Sequence, residues 1–189
     1  MIPSKVVPTA RIPVVLVTGF LGSGKTTLVN RMLKTRSHAR AAVVVSEYGE
    51  VGIDHMLIEA PKRRMRVIDG GCLCGHVHEE VAASLLHLLR LREDSGETSF
   101  DRVVIETSGL ADPVPLIQIL LTDPAVADAY ELRRVIAVVD GVHGVAHLDQ
   151  FTESVKQACV GDVVVISKTD LAATPALDAL AARVAAMNA

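Results

Sequence analysis

The sequence predicts an α/β domain, doubly wound, with a mainly parallel sheet and helices on both faces. Three observations predict it. Apolar runs of strand length alternate with helical stretches along the whole chain. Those runs are apolar at consecutive positions, as strands covered on both faces are. The first run feeds a glycine-rich loop, G-x-x-x-x-G-K-T from Gly19 to Thr26, which opens into a helix.

Val14 to Thr18, entered through Ile12 and Pro13, is the first strand. The loop follows, and Thr26–Lys34 reads as the helix after it. Ala41 to Ser46 (AAVVVS) is a second β-branched run, and Met65 to Asp69 a third strand. Val77–Arg92 has helical spacing. Arg102 to Glu106 (RVVIE) is again a strand, and Pro113–Leu121 a helix. Arg133 to Val139 and Asp162 to Ser167 are the last strands, with helices at Gln150–Cys159 and Pro175–Met187. Segments 46–59 and 93–99 show the least pattern.

Composition narrows the function. Half of the 189 residues are hydrophobic, enough to fill the core of one domain. The formal charge of −3 offers nothing to a polyanion, and with no Trp, three Phe and two Tyr there is no base-stacking platform. Nucleic acid is therefore not an expected partner. No apolar run approaches a membrane span, and the first ten residues carry two prolines and no signal-peptide core. Three cysteines do not make a disulfide framework, so a reduced, cytoplasmic setting is expected.

Four segments carry chemistry. In the loop, Gly19, Gly22 and Gly24 let several backbone N–H groups face one concavity that fits a phosphate chain. Ser23 and Thr27 belong to the same cradle. Lys25 can reach the β- and γ-phosphates, and the Thr26 hydroxyl can ligate Mg²⁺. The second segment is Glu106-Thr107-Ser108-Gly109, at the carboxyl end of a buried strand. Glu106 can hold the magnesium shell or orient water, and the Gly109 N–H can meet a γ-phosphate. The third is Ser167-Lys168-Thr169-Asp170, which resembles the guanine-reading N-K-x-D. The Asp170 carboxylate matches guanine N1–H and its exocyclic amine, and the Lys168 stem can lie over the base. Ser replaces Asn at 167, so a weaker brace to the phosphate loop is expected. The fourth is Gly70 to His78 (GGCLCGHVH). Cys72, Cys74 and His76 are typical ligands of zinc and related transition metals. An ordinary loop of small buried residues and solvated histidines is the competing reading.

Other residues say less. His143, after a strand and Asp140, either faces the site or the solvent. Glu47, Glu50 and Asp54 are either switch residues or loop solvation. Cys159 falls in an apolar helical pattern and is expected in the core. His38, His55, His87 and His147 are expected to be solvated.

Together these segments resemble the CobW-like GTPases, metallochaperones related to the urease and hydrogenase nickel-insertion GTPases. The matching stretches are GFLGSGKTTLVN (19–30), SEYGEVGID (46–54), GGCLCG (70–75), ETSGLADP (106–113), VVDGVH (138–143) and SKTDL (167–171). The resemblance implies a Mg²⁺-dependent GTP hydrolase that binds a transition metal (Zn²⁺, with Co, Ni or Fe as alternatives) and delivers it to a client metalloprotein. Glu106, in place of Asp, is a hallmark of that family. Its C-x-C-C metal motif is here C-x-C-G, with Gly75 last and His76 as the replacement ligand. Water, Glu47, His143 or a second molecule's side chain can complete the site, the last of these making a nucleotide- or metal-dependent dimer. No residue stands out to position the attacking water, so turnover without metal or partner is expected to be slow. The resemblance also implies a further strand and a C-terminal domain that the sequence does not show. It therefore reads as a flexible segment, 1–10, and a GTPase domain, 11–189. Two rivals remain: a phosphate-loop kinase of a small molecule, and a metal-binding regulatory module with little turnover.

Overall fold

The computed structural model describes residues 10–47, 65–69, 77–94 and 100–188. Its elements run β1 (Ile12–Gly19), α1 (Lys25–Leu33), β2 (Ala41–Glu47), β3 (Met65–Asp69), α2 (Val77–Asp94), β4 (Arg102–Glu106), α3 (Val114–Thr122), α4 (Pro124–Ala129), β5 (Tyr130–Asp140), α5 (Gly144–Gln150), α6 (Thr152–Cys159), β6 (Val163–Ser167) and α7 (Thr174–Met187). The six strands form one sheet in the order β3-β2-β4-β1-β5-β6, and every pairing is parallel.

The consecutive apolar runs are explained by two buried faces. On β1, β2 and β4, Val14, Leu16, Ala42, Val44, Val103 and Ile105 point into one core with Val81, Leu85 and Leu88 of α2 and Ile119 and Leu120 of α3. The alternate residues Val17, Val43, Val45 and Val104 pack on the other face against Val29 of α1. A smaller core joins Val139 of β5 to Leu148, Ala158, Leu180 and Val184 of α5, α6 and α7. The expected doubly wound architecture is the one observed.

The details differ in places. The helix expected at Gln150–Cys159 is α6, which begins at Thr152; α5, just before it, was not expected, and the two are separated at Phe151, whose backbone is extended at φ −126°, ψ 116°. α4 was not expected. It is six residues long, and Asp123 caps it by accepting hydrogen bonds from the Ala125 and Val126 N–H groups. β5 begins three residues earlier than the apolar run, at Tyr130, whose buried hydroxyl donates to the Leu85 carbonyl at 2.8 Å. Burial keeps that hydroxyl protonated well above the ordinary tyrosine range. Cys159, expected in the core, is exposed. α6 buries Ser154, Gln157 and Ala158, and Cys159 lies one helical step, about 100°, off that face.

Among the described residues no helix is long and apolar enough to cross a membrane.

Candidate functional site

Four adjacent strands deliver the site. β4, β1, β5 and β6 are neighbours in the sheet, and their carboxyl ends carry Glu106, Gly19, Asp140 and Ser167. This edge is where ligands bind in open α/β sheets.

The loop from Gly19 into α1 has the backbone the glycines were expected to allow. Gly19, Gly22 and Gly24 all have positive φ, at 146°, 67° and 94°. A Cβ on Gly19 would collide with the Val138 carbonyl of β5, so the loop leaves the sheet through a gap that only glycine passes. α1 has no side-chain cap, which leaves the first-turn N–H groups available to an anion. Lys25 is buried, and its Nζ donates to the Phe20 carbonyl at 3.1 Å, folded over the loop. Ser23 is fully buried, and its hydroxyl has no hydrogen-bond partner among the described residues. Gly22 and Thr27 are exposed.

Thr26 and Glu106, 80 residues apart, meet directly. The Thr26 hydroxyl donates to Glu106 Oε1 at 2.6 Å, and Glu106 is 1% exposed. Below them the Thr107 hydroxyl donates to the Thr18 hydroxyl at 2.9 Å, tying the ends of β4 and β1 together. An alcohol and a carboxylate oxygen in contact at the mouth of a phosphate cradle are the donor set of a hard cation. The residues present fit magnesium.

The β5 and β6 ends form the other half. The Lys168 ammonium donates to Asp140 Oδ2 at 2.6 Å. Asp140 Oδ1 accepts from the Val142 and His143 N–H groups at 2.8 and 3.0 Å. Burial acts to raise the Asp140 pKa, but the Lys168 hydrogen bond and the two backbone donors outweigh it, and the net shift is downward. Among the described residues Lys168 alone, apart from glycines, has positive φ, at 52°. Asp140 thus holds Lys168 in a backbone conformation that a side chain seldom takes. Asp170 is exposed beside it. Ser167 does brace the phosphate loop: its hydroxyl donates to the Ser23 carbonyl at 2.6 Å.

The Asp140 pair gives a pH prediction. A carboxyl whose folded pKa is lowered contributes stability above its unfolded value near 4, and that contribution is lost as pH falls through the folded pKa. Asp140→Asn should therefore lose about 1.5–3 kcal/mol at pH 7. The low end is expected, because the Lys168 side chain is 36% exposed and screened. Urea unfolding at pH 7 and pH 3 checks it: the gap between wild type and variant should narrow at the lower pH.

His147, expected in solvent, is partly buried against the loop. Its ring lies 4.8 Å from that of Phe20, and Phe151 stacks on Phe20 at 4.5 Å. Desolvation, with help from His143 and Lys168, lowers its pKa despite Asp140. His143 is exposed, 5.9 Å from His147 between ring centres.

Cys72, Cys74 and His76 lie outside the described residues. Glu47 is the last residue of β2, paired in register with Asp69 of β3, and the segment holding the cysteines begins at the next residue. β5, which leads to His143, stands four positions from β3 in the sheet, about 19 Å at the usual strand spacing. Among the described residues no three His, Cys, Asp or Glu are grouped so as to hold a metal.

Reading the sequence missed Asp140 as a site residue and gave no role to Phe20 and Phe151. The signal for Asp140 was its place: a carboxylate ending a buried strand, like Glu106.

Fold and site together define a phosphate-loop nucleotide-binding protein. The chain belongs to the family described as CobW/HypB/UreG, nucleotide-binding domain, whose model matches residues 13–189. It is 40% identical over 161 residues to the zinc chaperone YjiA of Escherichia coli, covering 85% of this chain and 50% of that protein. It is 41% identical over 140 residues to the zinc chaperone CobW of Pseudomonas aeruginosa, covering 69% of this chain and 36% of that one. Among solved structures it resembles the Zn(II)-bound YjiA GTPase from E. coli, with a TM-score of 0.65 and 29% identity over 95% of this chain and 56% of that chain. The chain spans half or less of the length of these two curated relatives.

Proposed function

We propose that this chain is the Mg²⁺-dependent GTPase domain of a transition-metal chaperone, using GTP hydrolysis to control delivery of Zn²⁺ or a similar ion to a client metalloprotein. The single observation that carries the hydrolase half is the Thr26–Glu106 contact at the mouth of the loop that holds Lys25. Relatives named zinc chaperones support the metal half.

In the reaction a water oxygen bonds to the γ-phosphorus, the bridging bond to the β-phosphate oxygen breaks, and GDP leaves with that electron pair. The water's proton ends on the released phosphate. Lys25 and the amides of residues 22–27 stabilise the charge that spreads onto the phosphate oxygens. Thr26 and Glu106 would hold magnesium, which when bound neutralises phosphate charge. The Gly109 N–H binds the γ-phosphate, and Asp170 reads the guanine edge over the base shelf formed by Lys168. The zinc cargo is assigned to Cys72, Cys74 and His76. Glu47 is the preferred fourth ligand over His143, because β2 ends beside β3 and β5 does not.

The test is nucleotide selectivity in turnover. The protein should release phosphate from GTP with Mg²⁺ and do so far more slowly from ATP. Phosphoryl transfer to a small-molecule acceptor in place of water would point to a kinase.

A further inference from the structure

Outside the loops that would touch nucleotide, α6 buries two polar side chains, Ser154 and Gln157. Gln157 is the larger of them and is 1% exposed. Its amide nitrogen donates to two backbone carbonyls, Gly109 at 3.1 Å and Ala111 at 3.0 Å. Its oxygen has no partner among the described residues. The orientation of the amide follows from chemistry, since two carbonyl neighbours can only be met by the NH₂ end. A buried amide oxygen left without a partner is costly. The side chain is held there by what its nitrogen does.

The two carbonyls belong to the turn after β4. The Ala111 N–H closes this turn on the Ser108 carbonyl at 3.1 Å, and the Thr107 N–H anchors its start to Val17 of β1 at 3.0 Å. Gly109 is pressed on the phosphate loop from the other side: a Cβ there would lie 2.7 Å from the backbone of Leu21. The turn is thus clamped between Leu21 and Gln157. α6 grips it again one residue on, where Lys156 pairs with Asp112 at 2.8 Å. At its other end α6 reaches the phosphate loop itself, through Phe151 on Phe20.

We infer that Gln157 is a positioning residue for γ-phosphate recognition: by fixing the carbonyls of Gly109 and Ala111 it holds the turn in which the Ala111 N–H meets the Ser108 carbonyl, and the Ser108 carbonyl shares its peptide plane with the Gly109 N–H. α6 then connects the γ-phosphate turn to the phosphate loop. The inference rests on the proposed role of Gly109. Bonds that fix the turn favour the triphosphate state specifically, because GDP has no γ-phosphate for the turn to meet. A residue that merely supported the fold would affect both nucleotides alike.

The experiment measures GDP and non-hydrolysable GTP-analogue affinities, with Mg²⁺, for wild type, Gln157→Leu and Gln157→Glu. Gln157→Leu should weaken the analogue about tenfold and leave GDP within about twofold, the size expected for losing hydrogen bonds that act in one state only. Gln157→Glu places a carboxylate against two carbonyls. Its analogue affinity should recover as pH falls, because the protonated acid donates one of the two bonds, while its GDP affinity stays flat. Should the leucine variant not fold, the pH profile of the glutamate variant decides alone. Parallel losses for both nucleotides, or unchanged affinities with no pH dependence, would overturn the assignment. A wild type that binds analogue and GDP equally would instead remove the role of Gly109, and this proposal with it.

Discussion

Lys25→Ala leaves a folded protein that no longer hydrolyses GTP. The ammonium is buried within the phosphate loop, with the Phe20 carbonyl at 3.1 Å, and the α1 N-terminus, which has no side-chain cap, starts at this residue. Removing a preorganised cation from a water-excluded site costs about 10²–10³ in turnover, as losing one oxyanion donor does elsewhere. Triphosphate binding should also weaken, more than diphosphate binding, since Lys25 is placed for the β- and γ-phosphates. The fold should survive, because β1 and α1 are held by Leu16, Val17 and Val29 rather than by the lysine. Circular dichroism establishes folding, and phosphate release under single-turnover conditions gives the rate. Retained turnover would mean that the phosphate loop is not the catalytic centre.

The second large effect is on base choice. Asp170→Ala should cost GTP roughly 2–3 kcal/mol of binding, some 30- to 150-fold, and leave ATP affinity almost unchanged. Two charge-assisted hydrogen bonds from guanine are lost, and adenine never made them. The site around Asp170 is braced by contacts within the protein: Lys168 on Asp140, and Ser167 on the Ser23 carbonyl. The mutation should therefore remove recognition without moving the loop. Isothermal titration of both nucleotides against both proteins measures the difference. Equal affinities for GTP and ATP in the wild type would remove the guanine assignment.

Much of this site was legible in the chain because parallel strands end in polar residues at one edge. The phosphate loop, Glu106 and Ser167–Asp170 each follow an apolar run, and the sheet order β4-β1-β5-β6 places those ends side by side. What the chain hid depended on distance. The role of Asp140 is fixed by its bond to Lys168, 28 residues on, and that of Gln157 by carbonyls 46 and 48 residues away. α4 and α5, at six and seven residues, are two turns or less, so their periodicity has nothing to repeat. Yet Asp123-Pro124 was a start signal that cap chemistry explains once seen. His147 was misplaced for a related reason. A histidine at a helix surface reads as solvated until the rings of Phe20 and Phe151 are found beside it.

Nucleotide state and metal affinity should be coupled. β2 and β3 end together at Glu47 and Asp69, and the same sheet carries the Thr26–Glu106 centre one strand further, at the end of β4. If GTP orders the segment bearing Cys72, Cys74 and His76, zinc must bind more tightly with triphosphate than with GDP. Linkage requires zinc to tighten triphosphate binding by the same factor, typically 5- to 150-fold in such switches. The decisive measurement is the zinc affinity of the pure protein, by competition with a chelator, in three states: without nucleotide, with Mg²⁺-GDP and with a Mg²⁺-bound non-hydrolysable GTP analogue. Zinc should bind more tightly only in the analogue state, and Cys72→Ser and Cys74→Ser should lose that tightening while their GDP affinity stays near wild type. One zinc affinity common to all three states would contradict it.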